Sequence, residues 1–178
     1  MKFLPAVAPL ALAVALVLGA CATAPSEPPL PDALRGAPNE QLLMSLAAKG
    51  VQIYECRARK DGSGTEWAFV APEAMLADRA GRVVGRHYAG PTWEAGDGSK
   101  IVGTVKGRAD APAEGAIPWL LLSTRSTGPA GLLAKVTSVQ RVNTVGGVAP
   151  PADGCTSASL GRSERVGYTA DYRFLETR

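Results

Sequence analysis

The sequence predicts one all-β domain over residues 39–178, built as an antiparallel β-sandwich or a barrel-like sheet. From residue 51 onward, short runs rich in β-branched and aromatic residues alternate with turn-forming residues. No long segment repeats its apolar residues at the period of an amphipathic helix. Many short strands at close spacing within one domain are typical of sandwiches and barrels.

Seven segments have the composition of strands: 51–58, 65–71, 82–88, 100–107, 117–124, 135–143 and 165–175. Residues that favour turns separate them, at Asp61-Gly62-Ser63-Gly64, Asp97-Gly98-Ser99, Gly146-Gly147 and Asp153-Gly154. The last segment alternates clearly, since one face carries Tyr168, Ala170, Tyr172 and Phe174. Residues 119–122 are continuously apolar, which predicts a strand buried on both faces.

The segment 41–49 is ambiguous. It fits a short helix that ends at Gly50, but Leu42, Met44 and Leu46 also alternate as they would in a strand. The alternation favours the strand.

The first 20 residues have the pattern of a secretory signal peptide. A positive start at Lys2 precedes an uncharged apolar run, and Gly19 and Ala20 supply the small residues of a cleavage site. The alternative is an uncleaved membrane anchor. That anchor is disfavoured because prolines interrupt the run, which is also shorter than the roughly 20 residues of a spanning helix.

The sequence Leu18-Gly19-Ala20-Cys21 resembles the lipobox of bacterial lipoproteins, in which the cysteine thiol is acylated and becomes the new N-terminus. The resemblance implies a membrane anchor at Cys21 in the cell envelope. Ala22, rather than an aspartate, follows the cysteine, which favours the outer membrane with the domain facing the periplasm. Residues 21–38 are rich in proline and are expected to form an extended tether.

Lipidation of Cys21 would leave two thiols, Cys56 and Cys155. An oxidising compartment favours a disulfide between them. The alternative is a pair of buried free thiols.

Composition excludes several classes of protein. Hydrophobic residues make up 46% of the chain and charged residues 20%, which is inconsistent with a disordered protein. The net charge is only +3 and no Lys/Arg cluster occurs, so no nucleic-acid partner is predicted. With one histidine and three cysteines, no metal site is predicted. No cofactor is predicted either, because no glycine-rich phosphate-binding motif is present.

Several motifs in order resemble the domain-of-unknown-function family 3455, which occurs in bacterial envelopes and in fungi. They are GVQIYEC (50–56), Trp67, APEA (71–74), GRHYAGPTWE (85–94), DGS (97–99), AIPWLL (116–121), QRVNTVGG (140–147) and YTADY (168–172). The resemblance covers residues 50–174 and implies no established activity. Some relatives carry a dehydrogenase label, but this sequence lacks the glycine-rich strand-to-helix turn of a dinucleotide fold.

The segment around the single histidine is the main candidate site. His87 could act as a general base near Glu94 or Asp97, or it could be an ordinary strand residue. Tyr88 and Trp93 flank a Gly-Pro turn and could form an aromatic ligand platform. Alternatively, the turn is tight and Trp93 belongs to the core.

Arg141 and Asn143 are polar residues on a predicted strand and are expected to share a face with Val139. If that face is buried, Arg141 needs a carboxylate partner, because an unpaired buried charge is costly. Glu55 and Glu94 are candidates. The two polar residues could orient a ligand, or an ion pair of Arg141 could fix strand register.

Three functions are compatible with these patterns. The leading hypothesis is a lipid-anchored, non-catalytic module that binds a small ligand or an envelope protein. The alternative is a hydrolase-type enzyme that uses His87 with a nearby carboxylate. The third is a structural accessory protein without a small ligand.

Overall fold

The computed structural model describes residues 28–178. The predicted signal peptide, the lipidation site at Cys21 and the start of the tether lie outside this range. Eight antiparallel strands pair in sequence order, and the last pairs with the first to close a barrel. They are β1 (Glu40–Ala58), β2 (Thr65–Ala77), β3 (Val83–Tyr88), β4 (Thr92–Ala95), β5 (Lys100–Ala109), β6 (Trp119–Ser126), β7 (Val136–Gly146) and β8 (Ser163–Thr177).

The prediction of an all-β antiparallel domain is confirmed, and the sheet closes into a ring. All seven predicted strands are present, and the ambiguous segment 41–49 is part of β1, as its alternation indicated. The short strand β4 was not predicted. Its residues directly follow the Gly90-Pro91 turn, and the sequence pattern attributed them to that turn.

Alternate side chains of each strand fill the barrel. The predicted inward face of β8 is confirmed, since its four apolar side chains are all buried: Tyr168, Ala170, Tyr172 and Phe174. They pack in one cluster with inward residues of the other strands, including Leu46, Leu76, Trp93, Ile101, Leu122 and Val139. A packed core of side chains therefore fills most of the barrel interior.

The segment that precedes β1 packs on the outside of the barrel. Leu34 is fully buried against Trp119 and Val142, and the Gln140 amide donates a hydrogen bond of 2.7 Å to the Leu34 carbonyl oxygen. At least part of the segment expected to be a tether, residues 30–34, thus covers the wall formed by β6 and β7. This cover explains why residues 119–122 are apolar on both faces.

The predicted disulfide between Cys56 and Cys155 is confirmed. It joins the end of β1 to the loop between β7 and β8, which carries two single-turn 3₁₀ helices at Ala152–Gly154 and Ser157–Ser159. Across residues 28–178, no helix has the length and apolarity needed to cross a membrane.

Candidate ligand-binding site at the barrel mouth

The hairpin of β3 and β4 presents different residues to the inside and the outside of the barrel. His87 pairs directly with Trp93, and Arg86 pairs directly with Glu94. Residues that are directly opposite in an antiparallel pair share a face, and successive residues alternate between faces. His87 and Trp93 therefore point inward, while Arg86 and Glu94 point outward.

His87 and Trp93 form a stacked pair inside the barrel, with ring centroids 4.5 Å apart and planes 17° from parallel. The Tyr172 ring lies 5.0 Å from His87 and 5.5 Å from Trp93. His87 is 3% exposed and Trp93 is 1% exposed. Trp93 is therefore a core residue, as one of the two interpretations of this segment expected.

The imidazole of His87 is neutral at physiological pH. Burial lowers its pKa to about 4, and the nearby charge of Arg141 acts in the same direction. Nδ1 lies 2.8 Å from the Thr92 carbonyl oxygen. Because a carbonyl oxygen only accepts hydrogen bonds, Nδ1 carries the proton and Nε2 carries a free lone pair.

Arg141 lies next to this aromatic group. It pairs with Leu120 on β6 and with Tyr172 on β8, which places the three side chains in one row on the inner wall. Its Nε and Nη2 atoms both donate to the Pro118 carbonyl oxygen, at 3.1 and 2.8 Å. Among the described residues, none of the ion pairs includes Arg141. Glu55 pairs with Arg57, and Glu94 pairs with Arg86 and Lys100, so the expectation that either carboxylate pairs with Arg141 is wrong.

These side chains surround a small cavity at one end of the barrel, which we call the mouth pocket. Its volume is about 240 Å³. The lining residues are Phe69, Val70, Pro72, His87, Gly90, Pro91, Trp93, Val105, Leu120, Leu122, Arg141 and Tyr172. Phe69, Val70 and Val105 are 52%, 43% and 53% exposed and form an apolar rim.

Glu94 lies on the opposite face of the same hairpin, where it is surrounded by donors. Its carboxylate accepts hydrogen bonds from the Tyr88 hydroxyl at 2.5 Å and from Arg86 at 3.0 Å, and Lys100 Nζ lies 3.3 Å away. These donors lower the pKa of Glu94 to about 2. Because Glu94 and His87 face opposite sides of the sheet, the structure does not bring them together as an acid–base pair.

Asn143 is also directed away from the mouth pocket. The alternation of β7 breaks between Val142 and Val145, and Asn143 adopts a positive φ of 51° there. Its amide donates to the Asp171 carboxylate at 2.9 Å. The expectation that Asn143 shares a face with Arg141 is therefore wrong, because a β-bulge shifts the register between them.

A larger depression, of about 610 Å³, lies on the outer wall beside Tyr88, Glu94 and Arg86. Its carboxylates are all paired with cations, Glu94 as described and Glu73 with Arg165. The mouth pocket is smaller, but its lining is mostly apolar and aromatic, and its one cation, Arg141, has no carboxylate partner among the described residues. We therefore take the mouth pocket as the candidate site.

Residues 37–176 match the family described as "Protein of unknown function (DUF3455)". The chain belongs to this family. The resemblance drawn from the sequence motifs is thus confirmed. No curated protein and no solved structure matches the chain.

The structure brings three of the six predicted site residues of this DUF3455 chain into the mouth pocket: His87, Trp93 and Arg141. Tyr88 and Glu94 lie together on the outer face with Arg86 and Lys100. Asn143 lies apart from this group and from the mouth pocket. Sequence analysis did not find the rim residues. Val70 is the extra residue of a bulge opposite Ile53 and Tyr54. The one sequence feature that indicates this bulge is the apolar pair Phe69-Val70, which interrupts the expected alternation.

The side chains that line the mouth pocket are mostly apolar or aromatic. Its polar lining residues are His87, Arg141, Tyr172 and Trp93, and the lining includes no serine, threonine, cysteine, aspartate or glutamate. Within residues 28–178, no group of three His, Cys, Asp or Glu side chains is placed to hold a metal ion.

Proposed function

We propose that this DUF3455 protein is a lipid-anchored envelope protein whose barrel binds a small, mainly apolar ligand in the mouth pocket without transforming it. The observation that carries the proposal is the mouth pocket itself, a concave apolar site with aromatic walls and few polar groups. Ligand sites in proteins commonly have this composition, and the mouth of a β-barrel is one of their usual positions.

The rim supports binding from solution or from a lipid surface. Phe69, Val70 and Val105 are exposed at the opening. Removing apolar side chains from water is favourable, so a ligand that covers them would gain free energy. A cavity of about 240 Å³ corresponds to roughly eight water molecules of liquid volume. The ligand is therefore small, or a short segment of a longer molecule.

The ligand is proposed to stay chemically unchanged because the polar groups that could act on it are separated. His87 is neutral and buried, and the nearest carboxylate of its hairpin, Glu94, is on the other face. The other candidate carboxylate, Asp97, accepts hydrogen bonds from Ser99 and from the Leu132 backbone N–H. The hydrolase alternative requires a carboxylate close to His87, and this geometry does not favour it.

Binding can be tested with a photoreactive, diazirine-bearing octanol on the full acylated chain in lipid nanodiscs. We expect cross-links at the lining residues, and competition by unlabelled octanol. Val70→Trp should fill the opening and reduce labelling about tenfold or more, since it removes space for the ligand. Val145→Trp is the matched control, because Val145 is exposed and lies outside the mouth pocket. Equal labelling of both variants, or no labelling of the lining residues, would contradict the proposal.

The lipid anchor is supported by the lipobox-like Leu18-Gly19-Ala20-Cys21, and the disulfide is consistent with an oxidising compartment. Cys21→Ser should prevent incorporation of a labelled fatty acid, because serine offers no thiol for acylation. A double Cys56→Ser, Cys155→Ser variant should keep the label. Normal acylation of Cys21→Ser would exclude the anchor.

A further inference from the structure

Arg141 is the only cationic side chain among the described residues that line the mouth pocket. It is half-buried, and the acceptors beside it are neutral: the Pro118 carbonyl oxygen and the Tyr172 hydroxyl. A half-buried charge is costly unless it is paired. By contrast, two cations on the outer surface have carboxylate partners, as Arg86 has Glu94 and Arg165 has Glu73.

No side chain next to Arg141 can provide the missing negative charge. Burial raises the pKa of Tyr54, Tyr168 and Tyr172, so these phenols stay protonated at neutral pH. His87 is neutral as well. The guanidinium therefore remains electrostatically uncompensated within the described residues.

The hydrogen bonds of Arg141 do not use all of its donors. Pro118 engages N–H groups on Nε and Nη2 and thereby fixes the plane of the group. A guanidinium has five N–H donors. Pro118 accepts from two of them and the Tyr172 hydroxyl from one, so two donors remain. Two parallel N–H groups match the two oxygens of a carboxylate.

We propose that Arg141 anchors the carboxylate of the ligand, and that the mouth pocket binds small amphiphilic acids: a short acyl chain or an aromatic ring that carries one carboxylate. This inference rests on the proposed function. A single cation balances a single negative charge, which argues for a monoanion. The apolar body of the ligand then lies against Leu120, Leu122 and the Trp93 ring, with the rim around its outer end.

The proposal is tested by competition among three ligands with the same eight-carbon chain and different head groups. Octanoate, octanol and octylamine are each added as competitors of the photoreactive octanol, with the full chain in nanodiscs. Empty nanodiscs measure how much of each competitor partitions into the lipid, which gives its free concentration. We expect octanoate to compete at a concentration about tenfold or more below that of octanol, as a charge-assisted pair predicts. Octylamine should compete worst, because its ammonium group faces the Arg141 charge.

Two variants locate the effect. Arg141→Gln should reduce the preference for octanoate over octanol to near one, while Arg141→Lys should keep part of it because the charge remains. Arg165→Gln is the control, since Arg165 is an exposed cation outside the mouth pocket. Photolabelling by the neutral probe shows in each variant whether the pocket is still formed.

The outcomes separate the two proposals. If the neutral probe labels the pocket but octanoate competes no better than octanol with the wild-type chain, the carboxylate anchor is wrong and ligand binding stands. If the neutral probe does not label the pocket at all, the proposed function fails first. A preference for octanoate that survives in Arg141→Gln would also overturn the assignment of Arg141.

Discussion

The two faces of the β3–β4 hairpin stabilise opposite charge states of their ionisable side chains: the outer face favours the charged form and the inner face the neutral form. On the outer face, Glu94 is surrounded by Tyr88, Arg86 and Lys100, and its pKa falls to about 2 because these donors stabilise the carboxylate. On the inner face, the pKa of His87 falls to about 4 because burial penalises the imidazolium. Both pKa values are lowered, but one group keeps its charge and the other loses it.

This difference indicates which face can bind a ligand. On the outer face, each carboxylate already has its partners, and an incoming polar group would have to displace them. On the inner face, Arg141 faces neutral groups only, so an anion would gain a new interaction there. Perturbed groups in a cleft are candidates for function. Exposed ion pairs also perturb pKa values, but they usually contribute little free energy.

The largest expected effect is the loss of the inner aromatic group. Trp93→Ala removes a ring that stacks on His87 and contacts the edges of Tyr172 and Phe174. We expect the free energy of unfolding to fall by about 3–5 kcal/mol, as for other large-to-small core substitutions. Denaturant unfolding monitored by circular dichroism measures it.

The matched control is Tyr88→Ala on the outer face of the same hairpin, where the ring is only partly buried. Its effect should be clearly smaller, because no core cavity is formed. Equal losses in the two variants would mean that the two faces of the hairpin do not differ in packing.

The period-two pattern of the sequence was sufficient to predict most strands, because alternation is a local property of each segment. It could not predict β4, which has four residues next to a Gly-Pro turn. It also could not distinguish a sandwich from a barrel. Closure depends on the pairing of β1 with β8, and those strands are more than 100 residues apart in the sequence.

For the candidate site, local chemistry located His87 and Trp93, since both lie in one short segment that is rich in ring side chains. The partner of Arg141 could not be predicted, because the Pro118 carbonyl oxygen is a backbone atom contributed by the segment before β6. Asn143 and Val70 were misplaced or missed for a shared reason. Each lies at a bulge, where the alternation on which the prediction depends is interrupted.

The smaller expected effect concerns pH, and it separates the two faces of the hairpin directly. His87 has a folded pKa of about 4 against 6.5 for an unperturbed histidine, so between these values the unfolded chain binds a proton that the folded chain does not. Stability therefore rises with pH across this window and is lost as the pH falls through it. The shift corresponds to about 3 kcal/mol.

Glu94 acts in a lower window. Its folded pKa of about 2 lies below its ordinary value of 4.5, so the stability that its partners provide is present above pH 4.5 and is lost between pH 4.5 and 2. His87→Phe keeps a ring against Trp93 and should remove the pH dependence between 4.5 and 6.5. Glu94→Gln should leave that upper window unchanged and reduce the slope in the lower one, where other carboxylates with lowered pKa values still contribute. Unfolding titrations of both variants between pH 2 and 8 measure the two slopes. Since the chain has one histidine, a slope above pH 4.5 that persists in His87→Phe would show that the inner face does not exclude a charged imidazole, and the contrast between the two faces would fail.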